Sequence, residues 1–200
     1  MDDDEEKIIK VLIVGGYGDG KSNIFNAISG KEYEEGLGPC GKGCIKKTII
    51  IKSKKYNLII LDPCPGNEGS RSLLKNFMRD SHIFLVVHDI TKDYYEEIYY
   101  YVDTIKEMCQ NNHIICLFCN KKDLKHNEID NKEIINYLKS NEIKIKYVSA
   151  KENPNEINFF LEELLLDYLE KSILKVKIPG RHPKENNKNY GYLLFKYLNY

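Results

Sequence analysis

Neither sign of charge prevails in this 200-residue sequence, where 30 lysines and arginines face 30 aspartates and glutamates. Without a net field, nothing draws the chain at long range to nucleic acid or to an acidic membrane, and no nucleic-acid partner is expected. Long apolar runs are missing too, so no segment is suited to span a bilayer. The opening Asp2-Asp3-Asp4-Glu5-Glu6 is acidic where a secretory signal would be basic and then apolar. Six cysteines occur, but Cys116 and Cys119 lie inside an apolar run and read as reduced core residues. That usage points to an intracellular chain with thiols rather than disulfides. Cys40, Cys44 and Cys64 lack the number and the close-paired spacing of a structural zinc site, and reduced loop thiols are the expectation.

What is present is an alternation. Ile8-Ile9-Lys10-Val11-Leu12-Ile13-Val14 reads as a buried strand ending in glycine. Further strands are expected at 47–52, 56–61, 83–88, 113–119 and 145–148, the first two forming a hairpin. Helical periods fill residues 23–28, 73–79, 93–110, 130–140 and 155–174, and a Gly- and Cys-rich loop covers 36–43. Strands alternating with helices imply an α/β fold: a mostly parallel six-stranded sheet, one antiparallel edge strand, and helices on both faces. The chain is long enough for one sizeable core and too short for a second full domain. An acidic, frayed end over residues 1–6, one folded domain over 7–172 and a basic, aromatic tail over 173–200 are expected.

The chemistry starts at Gly15-Gly16-Tyr17-Gly18-Asp19-Gly20-Lys21-Ser22, a G-x-x-x-x-G-K-[ST] phosphate loop set between a strand and a helix. Its backbone N–H groups, aided by the positive end of the following helix, are suited to phosphate. Lys21 would reach the β- and γ-phosphates, and the Ser22 hydroxyl would ligate Mg²⁺. Asp62, at the end of an apolar strand, is the expected second Mg²⁺ partner. This much leaves ATPases, kinases and GTPases open. Asn120-Lys121-Lys122-Asp123 narrows the choice. A carboxylate at Asp123 can accept from N1–H and the 2-amino group of guanine, whereas adenine would leave it desolvated and unpaired. Ser149-Ala150-Lys151 follows the last strand, where a backbone N–H can donate to guanine O6. GTP or GDP with Mg²⁺ is the expected ligand. A P-loop kinase or ATPase is disfavoured by Asn120 and Asp123 and by the lack of an arginine-rich lid.

These motifs resemble those of the Ras-like small GTPases, with P-loop NTPase fold, over roughly residues 7 to 172. The stretch GNEGSRSLLKNFMRDSHIFLVVHDIT from Gly66 is similar to the Rab branch, above all at Arg71-Ser72-Leu73, Arg79-Asp80-Ser81 and Asp89-Ile90-Thr91. Among Rabs the likeness is to the Golgi-associated type. The resemblance implies a monomeric GTP/GDP switch in vesicle traffic, cytosolic or peripheral to endomembranes, meeting effectors and regulators through its switch regions. Carried over by position, the resemblance implies that Gly15, Tyr17, Gly18, Asp19, Gly20, Lys21, Ser22 and Asn23 surround the phosphates. Asn120 would brace the phosphate loop and Lys121 would lie over the base. Asp123, Ser149, Ala150 and Lys151 would complete guanine recognition. Gly66 would offer its N–H to the γ-phosphate, and Asn67, with Gly66 and Lys21, would serve hydrolysis.

Departures from the family pattern gather on the γ-phosphate side. Tyr17 stands where Ras has glycine and many Rabs have serine, and Asn67 where the family has a water-orienting glutamine. Asp62-Pro63-Cys64-Pro65-Gly66 is one residue longer than the family's Asp-x-x-Gly. No threonine lies between Lys31 and Lys47; Cys40 falls near that spacing, and Thr48 lies too far along. Slow unaided conversion of GTP to GDP and phosphate is the expectation, with a hydrolysis-deficient guanine-nucleotide scaffold as the alternative. No cysteine follows Cys119 and Asp2 follows Met1, so neither prenylation nor N-myristoylation is expected. His82 and His88 are expected to be structural, as is most of the Tyr94–Tyr101 cluster. The apolar, aromatic ending Tyr190–Tyr200 is expected to pack on the body, to bind a partner, or to touch a membrane interface, in that order.

Overall fold

The computed structural model describes residues 8–36, 43–51, 53–63, 68–109, 112–124 and 128–177, with 68–73 and 174–177 placed by backbone alone. The element order is β1 (Ile8–Gly15), α1 (Lys21–Ser29), β2 (Gly43–Ile51), β3 (Lys54–Asp62), α2 (Glu68–Asp80) and β4 (Ile83–Asp89). It continues α3 (Glu96–Met108), β5 (Ile114–Asn120), α4 (Lys132–Ser140), β6 (Lys144–Tyr147) and α5 (Pro154–Lys177). One six-stranded sheet runs in the order β2-β3-β1-β4-β5-β6. β2 alone is antiparallel, pairing with β3 from Gly43 opposite Asp62 to Ile51 opposite Lys54. The α/β architecture with one antiparallel edge is therefore as the alternation implied.

Side-chain alternation divides the core. Ile9, Val11 and Ile13 face one layer with Ile24, Phe25, Leu161 and Leu164, so α1 and α5 cover that face. Leu12 and Val14 face the other, with Met78, Ile98, Val102, Ile134 and Leu138 from α2, α3 and α4. β4 and β5 are buried along their whole lengths, which explains why both read as continuous apolar runs rather than alternating ones. A fully buried Phe25 or Phe118 stabilises the fold by about 1.5–3 kcal/mol relative to exposure. Cys116 and Cys119 belong to these layers and carry free thiols. Burial pushes the Cys119 thiol up to about 12 and the Cys116 thiol higher still.

Several boundaries differ from the sequence reading: α2 begins at Glu68 rather than at 73, and α5 runs to Lys177 rather than to 174. β2 begins at Gly43, inside the expected loop, because Gly43 and Cys44 find ladder partners in Asp62 and Leu61. α3 begins at Glu96 rather than at 93, since the Asp89 carboxylate accepts from the N–H and hydroxyl of Thr91 and holds the preceding residues in a turn. His82 is structural: its Nδ1 accepts from the Lys10 N–H, and its ring lies 5.4 Å from that of Tyr168. The tyrosine cluster is mixed. Tyr101 is buried and Tyr99 meets Tyr137 edge-on at 4.5 Å, while Tyr94 and Tyr100 are exposed. No helix among the described residues is long and apolar enough to cross a membrane.

The topology positions the site. From β1 the chain passes to β2 and β3 on one side, then crosses to β4 and β5 on the other. The sheet order therefore reverses at β1, and the crevice above the carboxyl ends of β1, β3 and β4 is where such a sheet admits a ligand.

Candidate nucleotide-binding site

The loop from Gly15 to Ser22 occupies that crevice, and its glycines have specific causes. A Cβ on Gly15 would collide with the Val87 carbonyl oxygen of β4, and one on Gly20 with the side-chain amide of Asn120. Gly20 is also left-handed, at φ 89°, as the residue preceding α1. The crest of the loop is open: nothing lies within 4 Å of a Cβ built on Gly18, and Tyr17 is 75% exposed. The Asn23 and Ile24 N–H groups return to the Gly20 carbonyl, which starts α1 directly at the end of the loop. Gly16 donates its N–H to Asp19 Oδ2 at 2.8 Å, so that amide serves the loop itself.

Lys21 folds over the loop, its Nζ donating to the Gly16 carbonyl at 2.5 Å. Burial lowers its pKa, while Asp19, Asp62 and Glu97 pull the other way. Ser22 Oγ donates to Asp62 Oδ2 at 3.0 Å, across from the end of β3. A hydroxyl and a carboxylate only 1% exposed make an all-oxygen donor pair, which fits a hard divalent cation such as Mg²⁺.

Asn120, 3% exposed at the end of β5, ties both halves of the site together. Its Nδ2 donates to the Asp19 carbonyl at 3.0 Å, and its Oδ1 accepts from the Ala150 N–H at 3.2 Å. Asp123 Oδ1 accepts from Ser149 Oγ at 2.6 Å, and Ser149 Oγ in turn accepts from the Glu152 N–H. The segments after β5 and β6 are thereby locked to each other. Lys121, at a positive φ of 64°, sends its Nζ to Asp89 Oδ2 at 2.6 Å. Lys151 lies at the far rim, 3.6 Å from Glu35 and 5.8 Å from the Tyr33 ring centroid.

The structure thus brings together Gly15 to Ser22, Asp62, Asn120, Asp123, Ser149 and Ala150. Asn23 turns elsewhere, its side-chain amide donating to the Glu34 carbonyl and accepting from the Glu34 N–H. Gly66, Asn67, Cys40, Cys64 and the ending 178–200 lie outside the described residues. Among those described, no group of histidines, cysteines and acids is arranged to hold a metal.

Sequence reasoning passed over four residues. Tyr33 borders a cavity of about 270 Å³ with Ala150 and Lys151. Asp89 anchors Lys121, and Lys92 and Glu97 reach the phosphate loop from the far side of β4. Asp89 had a signal, since it stands in the Rab-like run Asp89-Ile90-Thr91. The others had none, because Lys92 meets Asp19 across 73 residues.

Comparison with known proteins agrees with this geometry. The Ras family model matches residues 10–168. Ras-related protein RabT2 of Dictyostelium discoideum is 29% identical over 196 residues, covering 94% of this chain and 89% of its own. RabQ of the same organism is 31% identical over 151 residues, 74% of each chain. Rab-18-B of Danio rerio is 28% identical over 154 residues, 76% of this chain and 75% of its own. With the phosphate loop, the Asn120 brace and the Asp123–Ser149 lock on one six-stranded sheet, this chain belongs to the Ras family of small GTPases, nearest its Rab branch.

Proposed function

We propose that this chain is a GTP/GDP switch of the Rab type that acts in intracellular membrane traffic and hydrolyses GTP slowly when unaided. The observation that carries the nucleotide reading is the buried Asn120 amide, bonded at once to the phosphate loop and to Ala150 beside the base-facing residues. Asp123 is the group that selects guanine, through two acceptor positions that adenine cannot satisfy. Ser22 and Asp62 would hold Mg²⁺, which when bound would supply charge neutralisation for the phosphates. Effectors and regulators meet the chain through segments that order around the γ-phosphate.

Slow hydrolysis is supported by the γ-phosphate side. Tyr17 rises from the crest of the loop, 75% exposed, where an attacking water and an activator's arginine need access. Asn67 is one methylene shorter than the family's glutamine, and a shortfall of ~1 Å can cost ~100-fold. Thr48, the first threonine after Lys31, is engaged with Asn57 across the β2–β3 ladder at 3.0 Å. The test is single-turnover GTP hydrolysis by wild type against Tyr17→Gly combined with Asn67→Gln. The double variant is expected to gain about 100-fold. Wild-type turnover as fast as that of ordinary Rab proteins would refute the reading.

A further inference from the structure

The phosphate loop of this chain contains an anion where an anion-binding loop is least suited to hold one. Asp19 is 1% exposed, and its Oδ2 accepts from the Gly16 N–H inside the loop. Its other oxygen, Oδ1, lies 2.5 Å from Lys92 Nζ, and the same ammonium donates to the Tyr17 carbonyl at 2.9 Å. Lys92 therefore holds the loop at both ends of its crest. We propose that Lys92 is a positioning residue for nucleotide retention: it neutralises the Asp19 carboxylate buried within the phosphate loop and pins the loop crest through the Tyr17 carbonyl.

The turn after β4 delivers Lys92 to this position, and its ammonium also lies 5.4 Å from the Tyr94 ring centroid. The Asp89 side chain folds the turn after β4, and the Lys92 N–H donates to the Asp89 carbonyl at 3.0 Å. This turn carries the Lys92 stem beneath the loop, where the side chain is 18% exposed. Glu97, in the first turn of α3, adds a second acid: a Cβ on Gly16 would overlap its carboxylate, so Glu97 fills the space that a methyl group would take. Burial, and then Asp19, push the Glu97 carboxyl up. The Lys92 ammonium offsets the field of these acids from the protein side, and the Asp19 bond holds it above the usual lysine range even though burial acts to lower it. Loss of its charge would leave the Asp19 carboxylate unpaired behind the phosphates, where it repels them and releases the crest.

The proposal rests on guanine-nucleotide binding, and the test separates the two. Dissociation of fluorescent GDP and of a fluorescent non-hydrolysable GTP analogue is measured for wild type, Lys92→Met, Lys92→Arg, and Lys92→Met with Asp19→Asn. Asparagine keeps an acceptor for the Gly16 N–H while removing the charge. Lys92→Met is expected to release GDP about tenfold faster and the triphosphate analogue faster still, because repulsion grows with ligand charge. Lys92→Arg should remain within about threefold of wild type, and the double variant should regain most of the loss. A merely structural lysine would speed both ligands equally, and Asp19→Asn would not rescue it. Equal rates for all variants, or a double variant as impaired as Lys92→Met, would overturn the proposal alone. A wild-type chain that binds neither ligand would overturn the functional reading and this proposal together. Melting temperatures of the nucleotide-free variants identify any that fail to fold; should Lys92→Met be one of them, Lys92→Arg and the double variant decide the question.

Discussion

Replacing Asn120 with alanine removes a side chain that spans both halves of the site, and its cost can be worked from the contacts. Two buried groups lose their partners: the Asp19 carbonyl, now at 3.0 Å from Nδ2, and the Ala150 N–H, now at 3.2 Å from Oδ1. Each buried group left unsatisfied costs about 1–3 kcal/mol, so the nucleotide-free protein should lose about 3 kcal/mol. The chain has 15 tyrosines and no tryptophan, so urea unfolding is followed by tyrosine fluorescence and circular dichroism. GDP dissociation is measured in parallel, with an expected rise of about 100-fold as the loop and the base-facing segment lose their common anchor. Asn120→Asp sharpens the test: it keeps the acceptor for Ala150 but turns a carboxylate toward the Asp19 carbonyl, and should be at least as damaging. A loss below about 1 kcal/mol for Asn120→Ala, with GDP release unchanged, would refute the reasoning.

Further expectations follow from other contacts. Asp123→Asn exchanges an acceptor for an N–H donor, so the variant should lose GDP affinity and gain affinity for xanthosine diphosphate, whose C2 carries an oxygen; competition binding reads this directly. Asp89 is buried, which alone would raise its pKa, but hydrogen bonds from Lys121 and Thr91 outweigh burial and hold it below its ordinary value of 3.8. A depressed carboxyl stabilises the fold fully above its unfolded pKa, and the contribution is lost as pH falls through the folded value. The melting temperature of wild type should thus fall more steeply below about pH 4 than that of Asp89→Asn. Cys109, pushed by burial to about 11, and Cys116 and Cys119 in the core should resist alkylation at pH 8 until the protein unfolds, whereas the exposed Cys44 should be modified in the native state; peptide mass spectrometry separates them.

Much of this protein was written locally in the chain. β1, the phosphate loop and α1 are contiguous, so their order and chemistry are visible in a single stretch of residues. The central strands β4 and β5 advertise themselves because both faces are covered and nearly every position must be apolar. Asn120 and Asp123 could be named because the Asn-Lys-x-Asp pattern directly follows the apolar run of β5. β2 was legible only in part. Its early start at Gly43 depends on pairing with Asp62, and no property of Gly43 or Cys44 encodes that partner.

The sequence by itself determined the alternating architecture, the phosphate-loop pattern and the Asn120–Asp123 motif, since each depends on residue types at short, fixed spacing. Only the tertiary structure decided what surrounds the loop. Lys92 meets Asp19, Glu97 takes the space beside Gly16, and Asn120 joins Asp19 to Ala150, all through the parallel neighbours β1, β4, β5 and β6. Charges far apart along the chain become partners when strand order places their carboxyl ends side by side, and the linear pattern of residues carries no record of that order.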